Sequence, residues 1–478
     1  MSSLRVEFFA ILAVYFFIGS VIAFTSRRYF TKDIRDYYTA SGRLGGIISA
    51  GTYAATTYST FMMVGLVGLS YATGVGALGF ELLYLVATVF FLSTVGLKIW
   101  SMSKQRKWIS SSQMIGELYN SRAISKIVAL IYLFAMIPYL AAQLQGLSAL
   151  FRYGGLDRAS SIFISTCLTY LWIIVAGMWS VALTDLYQGI LSLAGGFLYL
   201  TSVLAYLGTT SGANYGILLE ILGDNGYLGL GEFWKPHVFL AYTTPWVFFA
   251  LTNPQVVIRL YLPKDESSYR KMGVLFSVYG YIYTCIAVIV GLIAAGLALS
   301  GVVPLGLKWD DVTPYLLSLF NPLVASIVAV SIIAAGVSTA NSIVLAVSSS
   351  VVKDVLLKEK LMVARLVDTL LVVIASIIAM QNIGFIVELS VLTSVILLPL
   401  APATILGIYR EKLIGKYTRL SCPLSIIAGA SVGVLYSLTY GPRSAFTQPV
   451  LGAPISIYVL GISSLMLISG YALDRFMK

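Results

Sequence analysis

A chain of 478 residues in which 58% are hydrophobic and only 11% charged cannot clothe a water-soluble surface. A soluble enzyme or scaffold is excluded, and a polytopic membrane protein is expected. The formal net charge of +11 needs no nucleic-acid partner, because basic residues in short loops between apolar stretches lie against an anionic inner leaflet.

Crossing about 30 Å of hydrocarbon takes about 20 apolar residues, and thirteen stretches qualify. In chain order they are 6–24, 44–72, 77–99, 124–151, 160–179, 184–207, 237–258, 271–300, 321–352, 361–380, 384–408, 420–440 and 452–472. The first lacks a small-residue cleavage site and runs into "SRRYFTKDIR", so it reads as a retained helix. The centre of the second, Ala54-Ala55-Thr56-Thr57-Tyr58-Ser59-Thr60, is rich in hydroxyl and β-branched residues and makes a poor helix interior. The connection 208–236 is Gly-rich, the kind of loop that caps or gates a vestibule. Pro245 and Asn253-Pro254 interrupt the seventh stretch, where kinks are expected.

The ninth stretch contains "AAGVSTANSIVLAVSSSVV", with Ser338, Thr339, Asn341, Ser342, Ser348, Ser349 and Ser350. So many oxygens in a membrane helix call for either close helix packing or a polar ligand. In the tenth, Asp368 follows Arg365 by three residues, the spacing of an ordinary helix ion pair. Cys167, Cys285 and Cys422 all fall inside apolar stretches, so no disulfide frame, metal cluster or cofactor is expected. The only histidine, His237, is placed in a loop, which leaves no histidine proton relay.

Charge sets the orientation. With the N-terminus outside, 25 of the 31 Lys and Arg residues fall on cytoplasmic connections, four of them (Arg259 included) at 259–271. That asymmetry is the positive-inside pattern. It places the C-terminus in the cytoplasm. On this topology the two interrupted stretches lie five spans apart and run in opposite directions. Residues 44–207 and 237–408 are then two five-helix units, an inverted repeat of the kind found in secondary transporters. One extra helix (6–24) precedes them and two accessory helices (420–472) follow, within a single transmembrane domain over 1–478.

The motifs "DYYTASGRLGG" (36–46), "GMWSVALTDLYQG" (177–189), "NPQVVIRLYLPKD" (253–265) and "AAGVSTANSIVLAVSSSVVKDV" (334–355) resemble those of the sodium/solute symporter family. Its members include proline, pantothenate, monocarboxylate and sugar symporters and share the LeuT-type fold. The resemblance implies a sodium ion held by the carbonyls of Ala55, Tyr58 and Ala335 and the hydroxyls of Ser338 and Thr339. Sodium is a hard cation that takes oxygen ligands. The other reading is that these hydroxyls bond back to carbonyls and merely let helices approach; Ser342, Ser348, Ser349 and Ser350 are assigned to it. Asp185 matches an acid thought to help the ion leave, although Thr184-Asp185 also reads as a helix N-terminus. At Thr57 the proline-type members carry an aspartate, a departure that weakens the transfer of proline specificity and leaves sodium binding to uncharged oxygens.

For the solute, the candidates are Thr56, Thr57, Thr60 and Phe61 on the second span, and Tyr139 and Gln143 on the fourth. Trp246 and Asn253 on the seventh and Glu81 on the third complete them. Trp246 matches an aromatic position of the proline symporters, and Glu81 falls where sugar members use a glutamate. Intramembrane acids are functional candidates by default, but Glu81 and Glu388 also lie near helix ends that stabilise a carboxylate. The expected function is sodium-coupled symport of a small organic solute, an amino acid or monocarboxylate, by alternating access across the cell membrane. The expected partners are the solute, sodium and the bilayer, with the chain working as a monomer and no nucleic acid involved. The alternatives are proton coupling in the same fold and, further off, a membrane-embedded enzyme, which would need a cluster of ionisable groups.

Overall fold

The computed structural model describes residues 6–210, 215–381, 386–441 and 448–477. Part of the Gly-rich connection 208–236 therefore lies outside the described residues. The described chain is helical, with only isolated β-bridges at Leu44–Pro263 and Val450–Ala453.

The chain begins with α1 (Val6–Ser26) and the broken pair α2 (Gly46–Thr57) and α3 (Val67–Thr73). Next come α4 (Gly76–Phe91), α5 (Arg122–Tyr153), α6 (Arg158–Leu171) and α7 (Met178–Thr210). A broken trio follows: α8 (Pro236–Val247), α9 (Phe249–Thr252) and α10 (Pro254–Arg259). Then come α11 (Glu266–Leu299), the short α12 (Trp309–Ser318), α13 (Pro322–Ser350) and α14 (Leu361–Ala379). The last are α15 (Ile386–Leu397), α16 (Leu400–Arg410), α17 (Lys416–Tyr440) and α18 (Ile455–Phe476). His237 belongs to the first turn of α8 and not to the loop before it.

Among the described residues, ten helices are long and apolar enough to cross a membrane, and α15 with α16, bent by 45°, makes an eleventh. The thirteen stretches expected from the sequence include two already read as interrupted, and among the described residues neither of these forms a single helix long enough to cross. The expected spans 44–72 and 237–258 are each assembled from pieces too short to cross alone. Large apolar side chains such as Phe17, Phe134 and Phe163 face outward from these helices. A multi-pass membrane protein accounts for such a surface, since hydrocarbon replaces water around it.

Both breaks have local causes. At Tyr58 the backbone leaves the helix (φ −97, ψ 93) and resumes through a π-helical turn, Phe61–Leu66. At Asn253 it is extended (φ −85, ψ 118) directly before Pro254, because the proline ring pushes the preceding residue out of the helical region.

α13 occupies the centre, packed against α1, α2, α5 and α7. Every residue from 328 to 350 is buried, as a helix surrounded by helices requires. Small residues permit the approach: a Cβ on Gly336 would lie 2.6 Å from Thr60 Cγ2. The break of the second span is thereby pressed directly onto α13.

Candidate functional site

α2 ends at Thr57, so its last carbonyls lack intrahelical donors and look elsewhere. The Ser338 hydroxyl donates to the Ala55 carbonyl at 2.9 Å and to that of Ala335 at 2.8 Å. Thr339 Oγ1 lies 3.1 Å from the Ala55 oxygen, 3.2 Å from that of Thr56 and 3.3 Å from that of Ala335. Four of the five residues expected at the ion thus meet at one point. Tyr58, the fifth, stands at the break itself, its N–H donating to Ala54 at 2.8 Å. All five are buried. The donor set is neutral oxygen throughout, which suits a hard monovalent cation.

Not every hydroxyl of this stretch bonds only to its own helix. Ser349 and Ser350 bond back to Ala346, but Ser348 meets the Tyr38 hydroxyl at 2.8 Å. Ser342 donates to the Ser338 carbonyl at 2.8 Å, pairs with Thr56 Oγ1 at 2.8 Å and accepts from Arg259.

That arginine is the residue the sequence misplaced. Counted with the cytoplasmic loop, Arg259 closes α10 and is fully buried. Its guanidinium lies 3.6 Å from Asp185 Oδ2, which also accepts from Thr52 Oγ1 at 2.6 Å. Asp185 is not at a helix start, since α7 begins at Met178, about two turns earlier. The signal available in "NPQVVIR" was that a proline-started turn places the arginine at a helix end; its burial comes from the packing around that end. Thr52 lies one turn before Ala55, and Ser342 one turn after Ser338. The ion pair, contributed by α7 and α10 and bound by these two hydroxyls, therefore sits just beyond the neutral oxygen cluster. The expected Arg365–Asp368 pair is not formed among the described residues; Asp368 takes the Tyr37 hydroxyl at 2.7 Å instead.

The solute candidates divide. Thr60 donates to Gln143 Oε1 at 2.9 Å, and Gln143 Nε2 has no partner among the described residues. Trp246 is caged by Phe61, Phe80, Tyr84 and Phe249, with ring centroids 4.8–5.3 Å away. Its indole N–H, the Asn253 amide oxygen and both Glu81 carboxylate oxygens are buried without partners among the described residues. Glu81 is within electrostatic reach of Tyr58, Tyr84 and Tyr139. Polar groups so buried are ordinarily hydrogen-bonded. Thr56 turns to Ser342, and Thr57 bonds its own helix at Tyr53.

The sequence model of the sodium:solute symporter family matches residues 37–416. The sodium/proline symporter of Staphylococcus aureus (strain USA300) is 23% identical over 370 residues, 72% of this chain and 67% of its own. An uncharacterized symporter, YhjB of Bacillus subtilis, is 28% identical over 184 residues, or 37% of this chain and only 36% of that relative. A Na+-coupled sialic acid symporter in a substrate-bound outward-open state superposes with a TM-score of 0.81 at 17% identity, covering 98% of both chains. A nucleobase-cation-symport-1 family transporter, in a closed conformation, gives 0.57 at 13% identity over 92% of this chain and 95% of its own. These are relatives in fold, of the LeuT type.

Proposed function

The chain belongs to the sodium:solute symporter family and is a sodium-coupled solute symporter; from that premise we propose how it binds ion and solute. Ala55, Tyr58, Ala335, Ser338 and Thr339 hold one sodium ion, and Asp185 lies on the ion's way out to the cytoplasm. The observation that carries this is the convergence of the Ser338 and Thr339 hydroxyls on the Ala55 carbonyl at the broken end of α2. An entering ion takes over oxygens already gathered from two helices.

The solute lies between the two repeats, 44–207 and 237–408, against Thr60, Phe61, Glu81, Tyr139, Gln143, Trp246 and Asn253. A small amino acid or monocarboxylate fits the donors there. The relatives named for proline and for sialic acid also handle carboxylates. The N-terminus is outside and the C-terminus cytoplasmic, in the cell membrane, and the monomer is the working unit. A tenfold sodium gradient contributes about 1.4 kcal/mol and a potential of about 100 mV adds about 2.3 kcal/mol per charge. Together these concentrate a neutral solute roughly 500-fold per ion.

One observation favours a second reading: Glu81, a buried acid with both oxygens unpartnered among the described residues, is a place for a coupled proton. Uptake of a panel of labelled amino acids and monocarboxylates into proteoliposomes separates the two. Uptake driven by a sodium gradient at equal pH supports sodium coupling, and uptake driven only by a pH gradient rejects it.

A further inference from the structure

At the end of the bundle opposite the Asp185–Arg259 pair lies a cleft of about 440 Å³, within the range of small-molecule sites. The last turns of α5 and the first turns of α6, α12 and α15 frame it. Three bases, Arg152, Arg158 and Lys308, and three acids, Asp310, Asp311 and Glu388, line it. Charges of opposite sign sharing a cleft normally pair directly. Here neither Arg152 nor Lys308 forms an ion pair with Asp310 or Asp311 among the described residues, and Arg158 donates to the Ala379 carbonyl at 3.0 Å. Asp310 Oδ2 accepts from the Ile386 N–H at 3.3 Å, while its Oδ1 is buried with no partner among the described residues.

We propose that this cleft is an entry site for a zwitterionic solute of the amino-acid class, its carboxylate met by Arg152 and Lys308 and its ammonium by Asp310. The assignment rests on the outward orientation and solute symport proposed above, and deepens them by naming the solute class. A lone anion would face three acids and a lone cation three bases; only a solute carrying both charges gains from each wall. A Cβ on Gly146 would lie 2.7 Å from Ile386 Cδ1 and 3.0 Å from Thr60 Oγ1, and Thr60 is the partner of Gln143. Gly146 and Ile386 thus close the floor in this structure, as one packed layer between the cleft and the Thr60–Gln143 pair.

The test uses the full chain in proteoliposomes with a sodium gradient. The probes are labelled proline and alanine, with unlabelled alaninamide and propionate as single-charge competitors. Arg152→Gln and Lys308→Gln alter exposed side chains and leave folding intact; Asp310→Asn probes the acidic wall. Each is expected to raise the half-saturating amino-acid concentration about tenfold, the loss of one charge-assisted contact. The maximal rate and the sodium half-saturation stay unchanged, and both competitors act weakly. Wild-type half-saturation in Arg152→Gln and Lys308→Gln overturns the proposal, as does competition by propionate or alaninamide as strong as that by alanine. Sodium-driven uptake of propionate but of neither amino acid also overturns it, while leaving sodium symport standing. Absence of any sodium-driven uptake overturns both.

Discussion

Asp185 and Arg259 face each other across 3.6 Å with no solvent exposure on either side chain, and Thr52 and Ser342 bind the same two groups. Four helices, α2, α7, α10 and α13, are thereby tied together next to the neutral oxygen cluster.

Breaking that tie from one side leaves an uncompensated buried charge, which costs about 3–5 kcal/mol. Asp185→Asn and Arg259→Gln are each expected to lower the unfolding free energy by about that much. The double variant Asp185→Leu/Arg259→Met regains most of it. Denaturation of the purified chain in detergent measures all three. In transport, Asp185→Asn slows turnover more than it weakens equilibrium sodium binding, because the carboxylate lies outside the oxygen cluster. A fall in sodium affinity with turnover unchanged would contradict the exit role.

Ser338→Ala and Thr339→Ala each remove one oxygen from the proposed ion shell. Loss of a contact to a charged group costs about 1.5–3 kcal/mol, equivalent to a roughly 10- to 150-fold rise in the sodium concentration for half-maximal uptake. Ser349→Ala should be silent, since that hydroxyl only bonds back to Ala346 at 2.7 Å. Sodium titrations of uptake at matched membrane levels decide the matter. Wild-type sodium dependence in the first two variants would reduce both hydroxyls to packing groups.

Asp310 gives the entry cleft a pH dependence. Burial pushes its carboxyl up to about 7, the Ile386 N–H works against this, and the charges of Asp311 and Glu388 add to the rise. Lys308, Arg152 and Arg158 face the same space. Above about pH 7 Asp310 is ionised and attracts an ammonium; below it the attraction fades. The half-saturating concentration of an amino acid is therefore expected to rise as external pH falls from about 8 to about 6. In Asp310→Asn that component disappears. An identical profile in wild type and variant would remove Asp310 from the site.

Orientation is read by labelling. In a cysteine-free background, Asn225→Cys should react with an impermeant thiol reagent from outside the cell and Lys107→Cys only after the cytoplasmic face is opened. Both positions are exposed. The reverse pattern would invert the topology and turn the entry cleft towards the cytoplasm.

The membrane class, the position of each apolar stretch and the sites of both helix breaks were determined by the sequence alone. Each is a local property: a run of apolar residues, a hydroxyl-rich centre at 54–60, an Asn-Pro step at 253–254. The family motifs also named the oxygens that the fold gathers at Ala55, Ala335, Ser338 and Thr339. Only the tertiary structure decided the partners of the polar groups. Arg259 looked like one more basic residue beyond a span, and its burial follows from where α10 ends inside the bundle. Asp368 had an obvious neighbour at three residues' spacing, yet it bonds Tyr37, 331 positions away. Thr52 and Asp185 are 133 apart, and Arg259 and Ser342 are 83 apart. Spacing along a helix says which side chains share a face. Which buried donor meets which acceptor is settled only when helices from distant parts of the chain pack and water is excluded.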